Sequence, residues 1–89
     1  MGRGRQERPE KLAEKLKEIR LRLNLTQTQI FELLNDEKAR LHVGHISLFE
    51  TGQRVPSLLV LLKYARLAKL QMEILVDDEI ELSKFSFNK

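Results

Sequence analysis

The sequence predicts an all-α domain of five short helices, and three observations carry that expectation. Apolar residues recur at helical spacing in successive stretches between residues 11 and 76. Residues with helix-starting or helix-stopping chemistry (Pro9, Asn24, Thr26, Gly52 and Ser57) separate those stretches. Period-two alternation, the mark of a strand, appears only from residue 78 onward, and leaves room for a short C-terminal β-strand.

Residues 1–8 read as a flexible basic arm, because Gly2, Gly4, Arg3, Arg5 and Arg8 offer nothing to bury. Pro9 then falls where proline is tolerated, in the first turn of a helix, with Glu10 near the positive helix end. Leu12, Leu16, Ile19 and Leu23 follow at steps of four, three and four, one face of a first helix. Glu10, Glu14 and Glu18, interleaved with Lys11, Lys15 and Arg22, make its other face solvent-exposed. Asn24 takes the left-handed conformation that ends such a helix.

Thr26-Gln27-Thr28-Gln29 has the T-x-x-Q pattern of a capping box and opens a second helix, buried through Ile30, Phe31, Leu33 and Leu34. The apolar pattern fades at Asn35. Asp36-Glu37-Lys38-Ala39-Arg40 is a charged connector that either extends the helix or forms a loop. A third helix is expected from about Val43 to Glu50, with Ile46 and Phe49 inward and Gly52 as its stop. Gln53 to Pro56 form a tight surface loop, and Ser57 caps a fourth helix whose apolar face is Leu58, Leu61, Leu62, Ala65 and Ala68. Gln71 to Val76 make a short fifth helix, ended by Asp77-Asp78.

Composition narrows the function classes. Eighty-nine residues make one domain, read here as residues 9–76 with a tail at 77–89. A chain this short buries only roughly 60–65% of its unfolded surface. The chain has no cysteine, so there is no disulfide framework, thiolate nucleophile or Cys-based zinc site, which suits an intracellular setting. Leu58 to Leu62 is the longest apolar run, far short of the ~20 residues a membrane span needs. The charged N-terminus lacks the apolar segment of a secretory signal. A cytoplasmic protein with no membrane role is expected.

Net charge is +3, unevenly spread. Residues 1–22 carry eight Lys/Arg against four Glu, whereas residues 72–89 carry five Asp/Glu against two Lys. A basic front and an acidic tail fit either a nucleic-acid binder or an ordinary solvated surface.

Four segments together resemble the Xre/Cro-like helix-turn-helix family of bacterial and phage transcriptional regulators, with its lambda-repressor-like five-helix fold. They are Leu21-x-x-Asn24-Leu25-Thr26-Gln27 with Ile30; Ile46-Ser47-Leu48-Phe49-Glu50; Thr51-Gly52-Gln53-Arg54-Val55-Pro56-Ser57-Leu58; and Leu61-Leu62-x-x-Ala65. The likeness spans residues 11 to 76. It implies a third helix lying in the major groove of double-stranded DNA, with Val43, Gly44, His45, Ser47 and Leu48 facing the bases. It also implies phosphate contacts from Gln27, Thr28, His42, Thr51, Gln53 and Arg54, and a structural ion pair between Arg20 and Glu50.

Two departures from the family pattern stand out. The connector between helices two and three is about five residues longer than the usual compact turn, and Lys38 or Arg40 within it is a further candidate for phosphate. Helix three also lacks the Arg, Lys, Asn and Gln of bidentate base readout, each worth about 1–3 kcal/mol of discrimination. Val43 and Leu48 suit a thymine methyl, Ser47 suits almost any base, Gly44 allows close approach, and His45 offers one hydrogen bond. That set favours shape and methyl readout, with affinity from phosphates. The other reading makes Val43 and Leu48 core or interface residues.

His42-x-x-His45 offers two metal ligands without a third, so no metal site is expected. Ser47, His45 and Glu50 cannot converge as a triad on so short a helix, and no enzyme activity, cofactor or small-molecule ligand is assigned. The N-terminal arginines either enter a minor groove or add general attraction. The tail from Asp78 to Leu82, with Phe85 and Phe87 beyond, either pairs as a strand in a homodimer or folds back over its own helices. A protein-interaction module on the same fold, antitoxin-like or adaptor, is the rival to a DNA-binding regulator.

Overall fold

Leu12, Leu16 and Ile19 form one buried stripe on the first helix of a computed structural model that describes residues 9–82. That helix, α1 (Leu12–Arg22), is followed by α2 (Gln27–Leu34), α3 (Val43–Glu50), α4 (Leu58–Ala68) and α5 (Met72–Val76). α3 packs against α1 and α2, while α4 and α5 close the other side of the core. The expected basic arm at residues 1–8 and the aromatic pair Phe85 and Phe87 lie outside the described residues.

Three helices end in the same way. After α1, Asn24 is left-handed (φ 60°), its N–H donates to Leu21 O at 3.0 Å, and Leu25 N–H donates to Arg20 O at 3.1 Å. Gly52 (φ 80°) does the same for α3, and Lys69 (φ 59°) for α4. Each closure satisfies carbonyls that a helix end otherwise leaves open. Glycine adopts this conformation without strain, whereas Lys69 takes it at a cost of roughly 1–2 kcal/mol.

Helix starts follow their side chains. Thr26 Oγ1 accepts from Gln29 N–H at 3.0 Å and Gln29 Oε1 accepts from Thr26 N–H at 2.8 Å, the reciprocal box the sequence predicts. Ser57 Oγ accepts from Val60 N–H at 3.3 Å and opens α4. α1 departs from expectation: Pro9 lies before the helix, which begins at Leu12 with no side-chain cap from Lys11. Asp78 supplies the cap from the other end of the chain. Its carboxylate accepts from Glu10 N–H at 2.8 Å and Lys11 N–H at 3.0 Å.

Three further expectations are corrected. Leu33 is not part of the α2 core face but 53% exposed. The buried stripe is Ile30 and Leu34, and Leu33 sits about 100° around the helix from Leu34. On α4 the buried residues are Val60, Leu61, Tyr64, Ala65 and Ala68, so the apolar face is rotated towards Val60 and Tyr64. Leu58 falls outside it, 75% exposed, and Leu62 is half-buried. No strand forms at Asp78–Leu82: residues 78–80 turn, Ile80 packs against the core and Leu82 is buried in it. Two residues two apart serve an extended segment laid over its own helices as well as they serve a strand. The described part of the tail therefore covers the core of its own chain.

Candidate nucleic-acid interface

α3 is amphipathic in a narrow sense: Ile46 and Phe49 are buried and anchor it, while Val43, Gly44 and Ser47 face outward. His45 and Leu48 are half-buried at the edges of that face. Val43 is 46% exposed, so it is not a core residue. A Cβ added at Gly44 would meet nothing within 4 Å. The outward surface of α3 is thus low in relief.

What holds this surface in place is the other end of the helix. Glu50 is buried, and Arg20 of α1 grips both of its oxygens: Nε donates to Oε2 at 2.7 Å and Nη2 to Oε1 at 3.1 Å. Arg20 Nη1 donates to Leu25 O at 3.0 Å, so the same guanidinium fixes the turn before α2. Gln27, the first residue of α2, donates from Nε2 to Glu50 Oε1 at 3.2 Å. One carboxylate therefore ties α1, α2 and α3 together. Bonding to Glu50 raises the pKa of Arg20 above its ordinary value. Beside this pair, the buried Tyr64 hydroxyl has no hydrogen-bond partner among the described residues, and burial pushes its pKa up, with Glu50 adding in the same direction.

The loop after α3 is held by backbone. Leu48 O accepts from Gln53 N–H at 3.0 Å and from Arg54 N–H at 3.2 Å. Thr51 uses its own proton internally, donating from Oγ1 to Ser47 O at 2.9 Å, and its oxygen accepts from Gln53 Nε2 at 2.9 Å. Thr51 thus positions Gln53 and has no hydroxyl proton left for an outside acceptor. Thr28 is exposed near the start of α2, and His42 is exposed at the N-cap of α3.

His45 has a fixed tautomer. His42 N–H donates to His45 Nδ1 at 3.1 Å, so in the neutral ring the proton resides on Nε2. Burial, then the nearby Arg54 charge and His42, lower the pKa of His45 below its ordinary 6.5 and favour that neutral form. Arg54 Nη1 lies 3.5 Å from His45 Nε2. Two N–H groups face one another there, and neither accepts.

The connector that the sequence left open between helix and loop is a pinned turn. Asp36 Oδ1 accepts from Lys38 N–H at 2.9 Å and Ala39 N–H at 2.7 Å, and Asn35 Oδ1 accepts from Leu41 N–H at 2.7 Å. Lys63 of α4 bonds to Leu34 O at 3.0 Å and pairs with Asp36, and that pairing holds the Asp36 carboxyl below its ordinary pKa. Sequence reasoning missed Lys63 and Asn35. The Asn-Asp pair was the available signal, since both side chains bond to backbone a few residues on.

The arrangement offers an exposed helix face flanked by donors from the Gln53–Arg54 loop. Among the described residues no three His, Cys, Asp or Glu side chains group as a metal site. No described helix is long and apolar enough to cross a membrane. A family model described as helix-turn-helix matches residues 16–75, more than half of the chain. Comparison with curated proteins and with solved structures gave no match. The chain belongs to the Xre/Cro-like helix-turn-helix family, a family of DNA-binding regulators.

Proposed function

We propose that this protein is a sequence-selective transcriptional regulator that lays α3 in the major groove of double-stranded DNA. The observation that carries the reading is the frame at Glu50. It fixes α3 to α1 and α2 so that Val43, Gly44 and Ser47 project outward and Gln53 and Arg54 flank them. Val43 meets a thymine methyl, Ser47 takes either a donor or an acceptor, and His45 presents one N–H, from Nε2, to a base-edge acceptor. Leu48 borders the apolar part of that contact. Gln53, Arg54, Thr28 and His42 lie at the phosphates, and Gln27 acts through Glu50.

With no bidentate pairing from α3, one domain reads little sequence. Two half-sites roughly 34–36 Å apart, bound by a cytoplasmic homodimer, multiply weak contacts into selectivity. Such a protein acts as a repressor by occupying its operator. A protein-interaction role on the same fold draws on the exposure of Val43 and Leu33. The two differ in salt behaviour, because phosphate-driven binding weakens steeply with salt and an apolar contact does not.

The test is selection of bound sequences from random duplex DNA with the wild type, Arg54→Ala and Gln27→Ala. We expect an enriched motif rich in thymine steps, weaker recovery with both variants, and a changed preference at thymine positions with Leu48→Ala. No enrichment at low salt contradicts the regulator reading.

A further inference from the structure

The inserted turn between α2 and α3 and the loop between α3 and α4 face each other across a cleft of about 230 Å³. Ala39, Arg40 and Leu41 line one side, and His45, Arg54 and Ser57 are among the residues of the other. No carboxylate lines it, although 13 of the 89 residues are Asp or Glu. The lining charges are Arg40 and Arg54.

Three features make this a built feature of the chain. The turn is held at both ends, by Asp36 with Lys63 and by Asn35 with Leu41. Arg40 is itself left-handed (φ 51°), a conformation an L-residue adopts at a cost and that tends to mark functional positions. Its guanidinium has no hydrogen bond or ion pair among the described residues. Across the cleft, Arg54 Nη1 lies 3.5 Å from His45 Nε2, and both are donors in the tautomer that the His42 N–H to His45 Nδ1 bond sets. An oxygen placed there accepts from both, and the Arg40 charge lines the facing side of the same cleft.

We infer that this cleft is a phosphate site, with Arg40 of the inserted turn and Arg54 of the α3–α4 loop as opposed jaws on one backbone phosphate of the DNA that α3 contacts. The inference rests on the DNA reading for its ligand. The insertion is then a second grip beside the helix, compensating for the few contacts that α3 makes to bases. Ser57, at the N-cap of α4, adds the positive end of an 11-residue helix to the same cleft.

The test measures fluorescence anisotropy on a labelled duplex between about 50 and about 200 mM salt, for wild type, Arg40→Ala, Arg40→Gly and Lys38→Ala. Arg40→Gly removes the charge and also relieves the left-handed backbone, so it keeps the fold; circular dichroism checks both. Loss of one phosphate contact lowers the slope of log K against log salt by about 0.9, so the affinity deficit of both Arg40 variants shrinks roughly threefold across that range. The deficit is the same on every duplex sequence, and Lys38→Ala, outside the cleft, shows a smaller one.

A second arm titrates inorganic phosphate alone and follows the side-chain NMR signals of Arg40, Arg54 and His45. Steep salt dependence in the wild type that Arg40→Gly leaves unchanged overturns the jaw and leaves the DNA reading standing. Equal losses for Lys38→Ala and Arg40→Ala reduce the cleft to general positive charge and also overturn it. Absence of DNA binding with saturable phosphate shifts at the three residues refutes the backbone-phosphate assignment and makes this a free-phosphate site. Absence of both contradicts the site altogether.

Discussion

The seam between α1 and α5 and the outer face of α3 handle polar groups in opposite ways. At the seam each helix caps the other. Asp78, just past α5, accepts the N–H groups before α1, while Lys15 of α1, 4% exposed, donates from Nζ to Ile74 O at 2.7 Å and Asp77 O at 2.9 Å at the end of α5. Donors there meet acceptors inside the molecule. On the α3 side, Arg40 makes no hydrogen bond or ion pair among the described residues, Arg54 Nη1 lies 3.5 Å from His45 Nε2, and Gly44 has no described neighbour at the place of a Cβ. The seam spends its charged groups on the fold, whereas Arg40 and Arg54 stay exposed beside α3 and are free to meet a partner's acceptors.

The largest expected effect falls where the two regions join. Glu50→Ala leaves Arg20 facing a gap and frees Gln27; we expect a loss of about 3 kcal/mol in urea unfolding, because removing one partner strands a buried charge. Lys15→Ala attacks the seam alone. It orphans the buried Ile74 carbonyl and lowers stability by about 2 kcal/mol, while the folded fraction binds DNA as the wild type does. Reduced affinity of fully folded Lys15→Ala protein breaks the separation between the regions.

Gly44→Ala sharpens the comparison because its two readouts move in opposite directions. Glycine in a helix costs about 0.5–1 kcal/mol relative to alanine, and no described residue beyond its chain neighbours and helix backbone comes within 4 Å of the place a Cβ would take there. The melting temperature rises by a few degrees, yet DNA affinity falls if the duplex approaches the bare backbone. Unchanged affinity removes Gly44 from the contact surface.

Asp78 gives the seam a pH signature. Its hydrogen bonds from Glu10 N–H, then Lys11 N–H, hold its pKa below the ordinary 3.8. The folded state therefore binds fewer protons than the unfolded one near that pH. The stabilisation is in place above pH 3.8 and is lost as pH falls through the lower folded value. Urea midpoints measured down to about pH 2 decline accordingly, and Asp78→Asn flattens that part of the curve. Leu58→Ala, on a side chain 75% exposed, is the smallest change and shifts stability by no more than about 0.5 kcal/mol.

Much of the fold was legible because local chemistry and tertiary structure agree. The Thr26–Gln29 box, left-handed Asn24, the Gly52 stop and the Ser57 cap each act within a few residues of themselves. The misplaced faces have a physical reason as well. Leu58-Leu59-Val60-Leu61-Leu62 is apolar on every side, so periodicity alone could not choose Tyr64 over Leu58. The start of α1 was misplaced, and the course of the tail stayed open between two readings, because the partners are distant: Asp78 caps α1 from 67 and 68 residues away. Of the interface, residue types and their order were visible in the sequence. The Arg20–Glu50 pair is implied by the family resemblance, but the Gln27–Glu50 bond, the His45 tautomer, the approach of Arg54 to His45 and the fixed turn at Arg40 appear only once the helices are folded together.

The central claim is that the exposed face of α3 with Arg40 and Arg54, not the sealed α1–α5 seam, meets DNA. Titrating isotope-labelled protein with duplex DNA and following backbone amide shifts tests it directly. The account predicts changes concentrated at residues 42–48, at Gln53 and Arg54 and in the turn around Arg40, with Lys15, Ile74 and Asp78 unmoved. Changes centred on the α1–α5 seam, or spread evenly over the surface, contradict it.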